Sequence, residues 1–213
     1  MNDTIDGCVF PKTTRATKFH IESLKATPGY FALELDTGIR AEMTTTHHTA
    51  LYRFQFPQSS STNSPMILLD LTDLSESRQD NASATVDPET GRMTGNGRFL
   101  PSFGSGNYVL YYCIDFHGSS IRDSGIWVNS RGSDQVEDVK ISRGINSGGP
   151  LPGGAFVRFK TSDPVTARVG LSFRSSEQAC SIAESEIGTY DFDSVHAAAV
   201  DAWRAKQIGR AHV

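Results

Sequence analysis

The sequence predicts an all-β fold, an antiparallel β-sandwich followed by two short C-terminal helices. Residues 18–174 read as one strand after another, separated by turn signals rich in Gly, Pro, Asn and Asp, and only residues 175–206 show helical spacing. Regularly spaced short strands with such turns are typical of a sandwich or a barrel, whereas a parallel sheet would alternate strands with helices.

The first two strands show the period of two that is expected when one face of a strand is buried. Alternation over residues 30–35 predicts one strand, and the Gly-bearing loop Asp36-Thr37-Gly38 predicts a hairpin turn after it. On the return strand the apolar side chains are predicted to point inward, namely Ile39, Ala41 and Met43. The polar side chains of Arg40, Glu42 and Thr44 are predicted to point outward.

Later strands are bounded by turns whose residue types have a physical role. The segment Asp87-Pro88-Glu89-Thr90-Gly91 combines a Pro that fixes φ with a Gly that tolerates positive φ, and Asn96-Gly97 is a favoured hairpin dipeptide. Residues 108–116 are apolar on both faces, as expected of a central strand covered on both sides. Residues 165–174 alternate apolar and polar side chains without a lapse.

Helical spacing begins after residue 174. Ser175 and Gln178 form a predicted capping box for a short helix, and a second helix is expected to start near Asp191 or Asp193. The apolar side chains of the second helix share one stripe: Phe192, Val195, Ala199, Ala202 and Trp203.

These patterns divide the chain into three parts. Residues 1–174 form the predicted sandwich, and residues 175–206 form a helical linker. Residues 207–213 form the third part: residues 208–213 match what one reading frame of a common sequencing adapter encodes, Gln207 straddles the junction, and a genuine C-terminal turn is the alternative. They are therefore predicted to be an adapter scar and are left out of the fold prediction.

Composition argues against two classes of partner. The net charge is −4 and the basic residues are scattered, so the basic patch of a nucleic-acid binder is missing. No run of about 18 apolar residues is present, which argues against a membrane span. The first residues lack the apolar core of a signal peptide, and a secreted and a cytoplasmic location both stay open.

The cysteines predict neither a disulfide framework nor a metal site. Cys8, Cys113 and Cys180 are three in number, and no pair has the close spacing of a zinc site. Cys113 lies in an apolar strand, where a small buried free thiol is expected.

Several residues could be taken for a functional site, and for each the structural explanation is favoured. His47 and His48 would point to opposite faces of a strand and so could not easily share a metal. Asp70 and Asp73 follow an apolar strand, where such residues more often cap a turn than act as a catalytic pair. Trp127 could stack on a sugar ring, but a core position is the favoured interpretation.

The remaining glycines also do not indicate an enzymatic reaction. The glycines at positions 95, 97, 104 and 106 do not open a helix after a strand, so a phosphate-binding loop is not predicted. The residues alone therefore predict a fold. No position is assigned as catalytic or metal-binding, and the residues that face a sugar are left unassigned.

Six runs of sequence resemble the N-terminal domain of glycoside hydrolase family 92 in its fungal form. They lie at residues 23–33, 37–44, 68–74, 95–104, 121–129 and 167–173, with Glu177-Gln178-Ala179-Cys180 just after them. Two of the longest begin Gly95-Asn96-Gly97-Arg98-Phe99 and Ile121-Arg122-Asp123-Ser124-Gly125. The order and spacing of the runs carry the resemblance, which extends from about Cys8 to Lys206.

The resemblance implies a galactose-mutarotase-like supersandwich and a parent α-mannosidase that removes terminal, mostly α-1,2-linked mannose from glycans. Family members depend on calcium and invert the anomeric centre, which needs a carboxylic acid and a carboxylate base. In the family these groups and the oxygen ligands of calcium lie mainly in a C-terminal (α/α)6 barrel, on which the sandwich packs. None of them is carried onto a position of this sequence, and no cofactor is expected in this chain.

The expected function is that of a non-catalytic domain fragment, inactive alone, because the family's opening segment and its barrel have no counterpart in the 213 residues. A sandwich that is incomplete at its N-terminus would expose unpaired edges, and the stripe ending at Trp203 would need the barrel to cover it. Low solubility is expected. Two alternatives stay open: a free-standing carbohydrate-binding module, with aromatics such as Trp127 or Tyr111 lining a groove, and a partial gene model with no function of its own.

Overall fold

The computed structural model describes residues 5, 8, 10–58, 64–72, 79–101, 103–142 and 151–208. Its strands are β1 Lys25–Thr27, β2 Tyr30–Glu34, β3 Arg40–Thr45, β4 Thr49–Gln55, β5 Met66–Asp70, β6 Gln79–Val86, β7 Met93–Phe99, β8 Tyr108–His117, β9 Ile121–Val128, β10 Arg131–Ser133, β11 Asp138–Ser142, β12 Gly153–Phe159 and β13 Val165–Ser172. Its helices are α1 Lys12–Arg15, α2 Ser176–Glu186 and α3 Phe192–Ile208, with a short 3-10 turn over Ile21–Ser23.

The strands form two antiparallel sheets. The large sheet has nine strands in the order β1-β2-β3-β4-β13-β8-β7-β6-β11, and the small sheet has four in the order β10-β9-β12-β5. The chain is therefore an antiparallel β-sandwich with two C-terminal helices, as the strand pattern predicted. Among the described residues, no helix is long and apolar enough to cross a bilayer.

The main core lies between the small sheet and one part of the large sheet. Strands β9 and β12 pack on β6 and β11, and the buried side chains between them include Ala84, Val86, Val139 and Val157. Because successive side chains of a strand point to opposite faces, Phe156 lies on the outer face of the small sheet. There it packs with Trp127 beneath the ring of Phe10.

The opposite face of the large sheet is covered by α2 and α3. Helix α2 lies on β13 and β8, and α3 lies on β3, β4 and β2. The close approach of α2 depends on Gly170, since a Cβ at that position would lie 2.3 Å from the carbonyl oxygen of Ala179. The Ser175 side chain accepts a hydrogen bond from the N–H of Gln178 at 3.1 Å, which confirms the predicted N-cap.

The predicted inward and outward faces of β3 are wrong. Glu42 and Thr44 were expected outside, but they are 4% and 1% exposed, whereas Ala41 and Met43 are only half-buried. The polar face is covered because the helices pack on it, and its charges are paired there. Glu42 accepts hydrogen bonds from Arg53 Nε at 2.8 Å and from Tyr30 Oη at 2.6 Å.

The turn predictions are correct at the two glycines with positive φ and wrong at Gly97, which lies in a strand. Gly38 and Gly91 have positive φ and close the β2–β3 and β6–β7 hairpins, as predicted. The predicted turn at Asn96-Gly97 is wrong, because both residues lie inside β7. The small residues of this strand provide space instead, since the Tyr112 hydroxyl passes over Gly95 to donate to the Ser83 carbonyl at 2.8 Å.

The prediction of a free thiol at Cys113 is also wrong. Cys113 on β8 forms a disulfide with Cys180 on α2, with the two Cα atoms 5.0 Å apart. The two residues are separated by 67 positions, so no local pattern indicates the pair. Cys8 is not part of this disulfide. The disulfide holds the helical layer covalently against the centre of the large sheet.

Candidate functional site

A groove of about 580 Å³ lies beside α3. Three separate segments form its walls: the β3–β4 loop, the connection between α2 and α3, and the outer side of α3. Side chains that line it include Thr46, His47, Glu186, Ala202, Trp203 and Lys206. This volume lies within the range of roughly 300–1,000 Å³ that is usual for ligand pockets, and its lining mixes an indole, hydroxyls and both signs of charge.

Glu186 fixes the β3–β4 loop to the end of α2. Its carboxylate accepts hydrogen bonds from Thr46 Oγ1 at 2.5 Å and from the His48 N–H at 2.9 Å, and it lies 2.8 Å from His48 Nδ1. Burial alone would raise the pKa of Glu186, but these hydrogen bonds outweigh it and lower the pKa to about 2. The groove therefore has a permanently ionised carboxylate in its wall at neutral pH.

Helix α3 is positioned by its first turns. The Asp191 carboxylate accepts from the Ser194 N–H at 3.1 Å, so Asp191 acts as the N-cap, one of the two predicted starts. The Arg53 guanidinium lies 4.3 Å from the Phe192 ring centre. The His196 ring stacks on Tyr30 at 4.5 Å. These contacts anchor the helix at its N-terminal end.

The C-terminal part of α3 is much more exposed. Trp203 is 49% exposed, and residues 201–206 are all exposed. A large indole at this level of exposure beside a groove is typical of a contact surface for a ligand or another protein segment. The predicted stripe is therefore buried at Phe192 and Ala199 and open to solvent at its end.

A second cluster of charges lies between α2 and the large sheet, with Arg168 and Asp115 buried at its centre. The Arg168 guanidinium donates to Asp115 Oδ2 at 2.7 Å and to the Ile187 carbonyl at 2.6 Å. Arg92 donates to the other Asp115 oxygen at 2.5 Å and to Glu184 at 2.7 Å. Both oxygens of Asp115 are thus engaged by guanidinium groups, an arrangement that joins helix to sheet.

The two buried carboxylates of the described residues, Glu42 and Asp115, and the half-buried Asp123 are all held by arginines. Glu42 is bonded to Arg53, Asp115 to two arginines and Asp123 to Arg158. Burial would raise the pKa of Glu42, but hydrogen bonds from Arg53 and Tyr30 hold that pKa below its usual value. A general acid must instead keep its proton near neutral pH, which needs a raised pKa.

The structure separates or satisfies the other candidate residues. His47 and His48 lie in the β3–β4 loop, not on a strand as expected, with ring centres 6.4 Å apart. His47 lines the groove and His48 contacts Glu186. Across the described ranges, no group of three or more His, Cys, Asp and Glu side chains could hold a metal ion. No calcium ligand is therefore assigned within them.

Asp70 and Trp127 have the structural roles that were favoured. Asp70 Oδ1 accepts from the N–H and the hydroxyl of Thr72, both at 2.8 Å, and its other oxygen pairs with Arg15. Trp127 is fully buried and donates its indole N–H to the Leu69 carbonyl at 3.1 Å. Asp73, the second carboxylate considered with Asp70, lies outside the described residues.

Two further candidates do not form a binding site either. Tyr111 is half-buried on β8, so it does not form an exposed platform for a sugar. The glycines at positions 95 and 97 lie in β7, and those at 104 and 106 lie between β7 and β8 with no helix after them. The glycines at positions 95 and 97 thus belong to a strand, and those at 104 and 106 to the connection that follows it.

The groove itself was not found from the sequence. Its lining comes from residues 45–47, 186–189 and 194–206, which no local pattern connects. One signal was available: Trp203 ends the apolar stripe of α3, in a stretch with charged neighbours at Asp201 and Arg204. A tryptophan among charges near the end of a helix indicates a partly exposed contact residue.

Comparison with known proteins identifies the family to which this β-sandwich belongs. Residues 2–172 match the model of the glycosyl hydrolase family 92 N-terminal domain. Because this match covers most of the chain, the chain belongs to glycoside hydrolase family 92, of which it contains the N-terminal domain. A curated relative, an uncharacterized secreted glycosidase of Arthroderma benhamiae, is 43% identical over 214 residues.

Solved structures show the same fold. The family GH92 inverting mannosidase BT2199 of Bacteroides thetaiotaomicron superposes with a TM-score of 0.70 at 19% identity over 90% of this chain. The GH92 family glycosyl hydrolase ccman5 gives a TM-score of 0.72 at 22% identity over 92% of this chain. The chain spans 24% and 26% of these two proteins, and 28% of the Arthroderma relative.

Proposed function

We propose that this chain is the non-catalytic N-terminal domain of a calcium-dependent, inverting α-mannosidase that acts on α-mannoside glycans. Residues 1–174 support carbohydrate binding and pack on a catalytic (α/α)6 barrel, and residues 175–206 lead toward that barrel. Family membership and a fold shared with two GH92 enzymes from Bacteroides described as mannosidases, one of them as inverting, support the substrate class.

The observation that carries the proposal is the arrangement of α3. The helix is fixed to the large sheet at Phe192 and His196, and its far end presents Trp203 and the groove to solvent. A surface that joins an apolar ring to a mixed polar groove suits burial against another part of the same polypeptide. The barrel is the partner that this surface fits.

The carboxylates of the described residues support the placement of the catalytic groups in the barrel. Inversion requires a protonated acid and an ionised base about 6.5–9.5 Å apart on opposite sides of the sugar. In the described residues Glu42, Asp115 and Asp123 are each paired with arginine, so these carboxylates hold elements of the fold together. Both catalytic groups and the calcium ligands then belong to the barrel.

An activity assay tests this proposal. The purified 213-residue chain is incubated with α-1,2-mannobiose and calcium, and released mannose is measured, with the family GH92 inverting mannosidase BT2199 as the positive control. No mannose above the buffer blank is expected from the 213-residue chain. Steady release that is abolished by a calcium chelator would overturn the non-catalytic assignment.

The groove also favours a second candidate, a free-standing carbohydrate-binding module. An indole beside hydroxyl, imidazole and carboxylate groups can stack on one sugar face and bond to its hydroxyls. Calorimetric titration with mannose oligosaccharides decides between the two. Heat that disappears in Trp203→Ala but persists in Phe103→Ala, whose ring is 90% exposed elsewhere, would establish the module. Absence of heat at millimolar sugar excludes it.

We further propose that the chain folds in an oxidising compartment. The Cys113–Cys180 disulfide supports this, since such bonds are rare in proteins of the reducing cytosol, and the Arthroderma relative is described as secreted. Alkylation of the unfolded, unreduced chain from its native host should label Cys8 alone. Labelling of all three cysteines without a reductant would contradict this proposal.

A further inference from the structure

Strand β6 contains an acceptor sequence for N-linked glycosylation. Asn81-Ala82-Ser83 fits the pattern Asn-x-Ser/Thr in which x is not proline. The sequence contains one other match to this pattern, Asn2-Asp3-Thr4, which lies outside the described residues. Asn81 is therefore the acceptor asparagine whose surroundings the structure describes.

The side chain of Asn81 lies on the face of β6 that points away from the core. Successive side chains of a strand alternate between its two faces, and Ala82 and Ala84 are the buried ones, packed in the core between the sheets. Asn81 and Ser83 are half-buried on the opposite face. There the Asn96 side-chain amide donates to the Ser83 hydroxyl at 3.0 Å.

The strands on either side of β6 are also polar on this face. The strand registers place Ser142 of β11 and Arg98 of β7 beside Asn81, and they place Lys140 of β11 beside Ser83. Lys140 and Ser142 are exposed to solvent. A sheet face that carries hydroxyl and charged groups is typical of a solvated face. An N-linked glycan is bulky and hydrophilic and lies at the surface of a protein, so this face suits one.

The helices lie on a different part of the large sheet. Helix α3 lies on β2, β3 and β4, and α2 lies on β13 and β8 and reaches β7 at its first residue, where Ser176 Oγ donates to the Gly95 carbonyl at 3.1 Å. Three strands separate β6 from β4 in the sheet. The two strands are thus roughly 19 Å apart, because neighbouring strands lie about 4.8 Å from each other. A glycan on β6 would be remote from the surface around Trp203 that we propose to face the barrel.

We infer that Asn81 carries an N-linked oligosaccharide. The inference rests on the oxidising compartment proposed above, because the secretory pathway, which supplies the glycan donor, also permits disulfides. In the transfer, Asn81 Nδ2 forms a bond to the anomeric carbon of the first sugar of a lipid-diphosphate-linked oligosaccharide. The bond from that carbon to the diphosphate oxygen breaks, and one Nδ2 proton is released together with the lipid diphosphate.

The order of the strands along the chain favours transfer during synthesis. In the sheet β6 lies between β7 and β11, but in the chain four strands separate β6 from β11. One side of β6 therefore stays unpaired until residues 138–142 have been made, because a chain folds as it is synthesised. During that time the host's oligosaccharyltransferase can reach Asn81-Ala82-Ser83 as an extended segment.

Peptide mapping tests the inference without any substitution. The protein is isolated from its native host, denatured, treated with peptide N-glycosidase in heavy-oxygen water and digested with trypsin. Cleavage after Arg78 and Arg92 gives a peptide in which Asn81 is the only asparagine. The glycosidase converts a glycosylated Asn into an Asp that contains heavy oxygen, so we expect this peptide to be recovered with that label. Full recovery of the unlabelled, unmodified peptide would overturn the inference.

Three variants of the 213-residue chain, secreted from yeast, test whether the label depends on the acceptor sequence. Asn81→Gln and Ser83→Ala should each lose the label, because each removes a required member of the pattern. Ser83→Thr is the matched control and should keep it, since threonine also provides the hydroxyl. A change in gel mobility on deglycosylation that is equal in the parent and all three variants would assign the glycan to Asn2 alone and overturn the inference.

The state of the cysteines separates failure of this inference from failure of the proposed compartment. A native protein with the Cys113–Cys180 bond intact and Asn81 unmodified would support the compartment and overturn the glycan. A native protein in which all three cysteines are free and Asn81 is unmodified would overturn both.

Discussion

The two halves of the large sheet bury opposite kinds of side chain. Under the small sheet, β6 and β11 bury Ala84, Val86 and Val139 in a core without charges. Under the helices, β3 and β13 bury Glu42 and Arg168, which are paired by hydrogen bonds and ion pairs. Alternation in sequence therefore tells which side chains share a face, but the partner that packs on the sheet decides which face is inside.

The difference has an energetic basis. Apolar burial stabilises by roughly 25 cal/mol per Å² removed from water, so the core under the small sheet gains from each side chain it covers. Buried ion pairs gain little net free energy, because the loss of hydration offsets their attraction. Their loss is nevertheless costly, since the partner left behind has no water to solvate it.

The largest expected effect compares a covered ring with an open one. Phe159→Ala removes a ring that is fully buried between the sheets and should lower the free energy of unfolding by about 3–5 kcal/mol. Phe31→Ala removes a ring that is 36% exposed on β2 and should cost less than about 1 kcal/mol. Urea unfolding of both variants measures the difference, and similar losses would show that the Phe31 ring contributes as much to stability as a ring in the core.

A similar loss in the free energy of unfolding is expected when a charged side chain that is buried under the helices is replaced. Arg168→Met leaves the Asp115 carboxylate without one of its two guanidinium partners and should cost about 3–5 kcal/mol. Arg204→Met removes an exposed arginine from α3 and should change stability by less than about 0.5 kcal/mol. Equal effects in urea unfolding would mean that the buried cluster does not hold α2 in place.

The disulfide should have a somewhat smaller effect. Replacing Cys113 and Cys180 together by Ala should lower the free energy of unfolding by about 2–4 kcal/mol, because the unfolded chain regains the freedom of a long loop. The parent protein should lose comparable stability in a reductant. Cys8→Ala should retain the parent's sensitivity to reductant, and a Cys8→Ala protein that is insensitive to it would assign the effect to another thiol.

The smallest expected effect concerns Glu186. Its folded pKa of about 2 lies below the ordinary value of 4.5, so its hydrogen bonds contribute stability above about pH 4.5 that is lost as the pH falls through about 2. Glu186→Gln should be less stable than the parent by under about 1 kcal/mol at pH 7.

Melting curves from pH 7 to pH 2 measure this effect. The gap between the parent and Glu186→Gln should close toward pH 2, whereas Asp201→Asn, an exposed substitution on α3, should track the parent throughout. A gap that persists unchanged at pH 2 would show that the carboxylate charge is not its source.

Much of the fold could be predicted because its signals are local. Period-two alternation, the glycines at 38 and 91 and the caps at Ser175 and Asp191 each act within a few residues. The prediction that Glu42 and Thr44 point outward was wrong because the helices that cover them lie about 150 residues away in the sequence. Local patterns carry no information on such cover.

The candidate site was harder to predict for the same reason. The groove joins three segments, and only Trp203 gave a sequence signal. Asp70 could be assigned to a turn because its partner Thr72 is two residues away. The partners of Glu186 lie about 140 residues away, so neither its lowered pKa nor its place in the groove wall could be anticipated.

The bond between Cys113 and Cys180 has a consequence for proteolysis. The residues between the two cysteines include β9, β10, β11 and β12, three of which belong to the small sheet, and also β13. A protease that cuts once within this stretch leaves two fragments that still migrate together on a non-reducing gel. Intactness of the backbone can therefore be judged only after reduction, and a preparation that runs as one band may already be nicked.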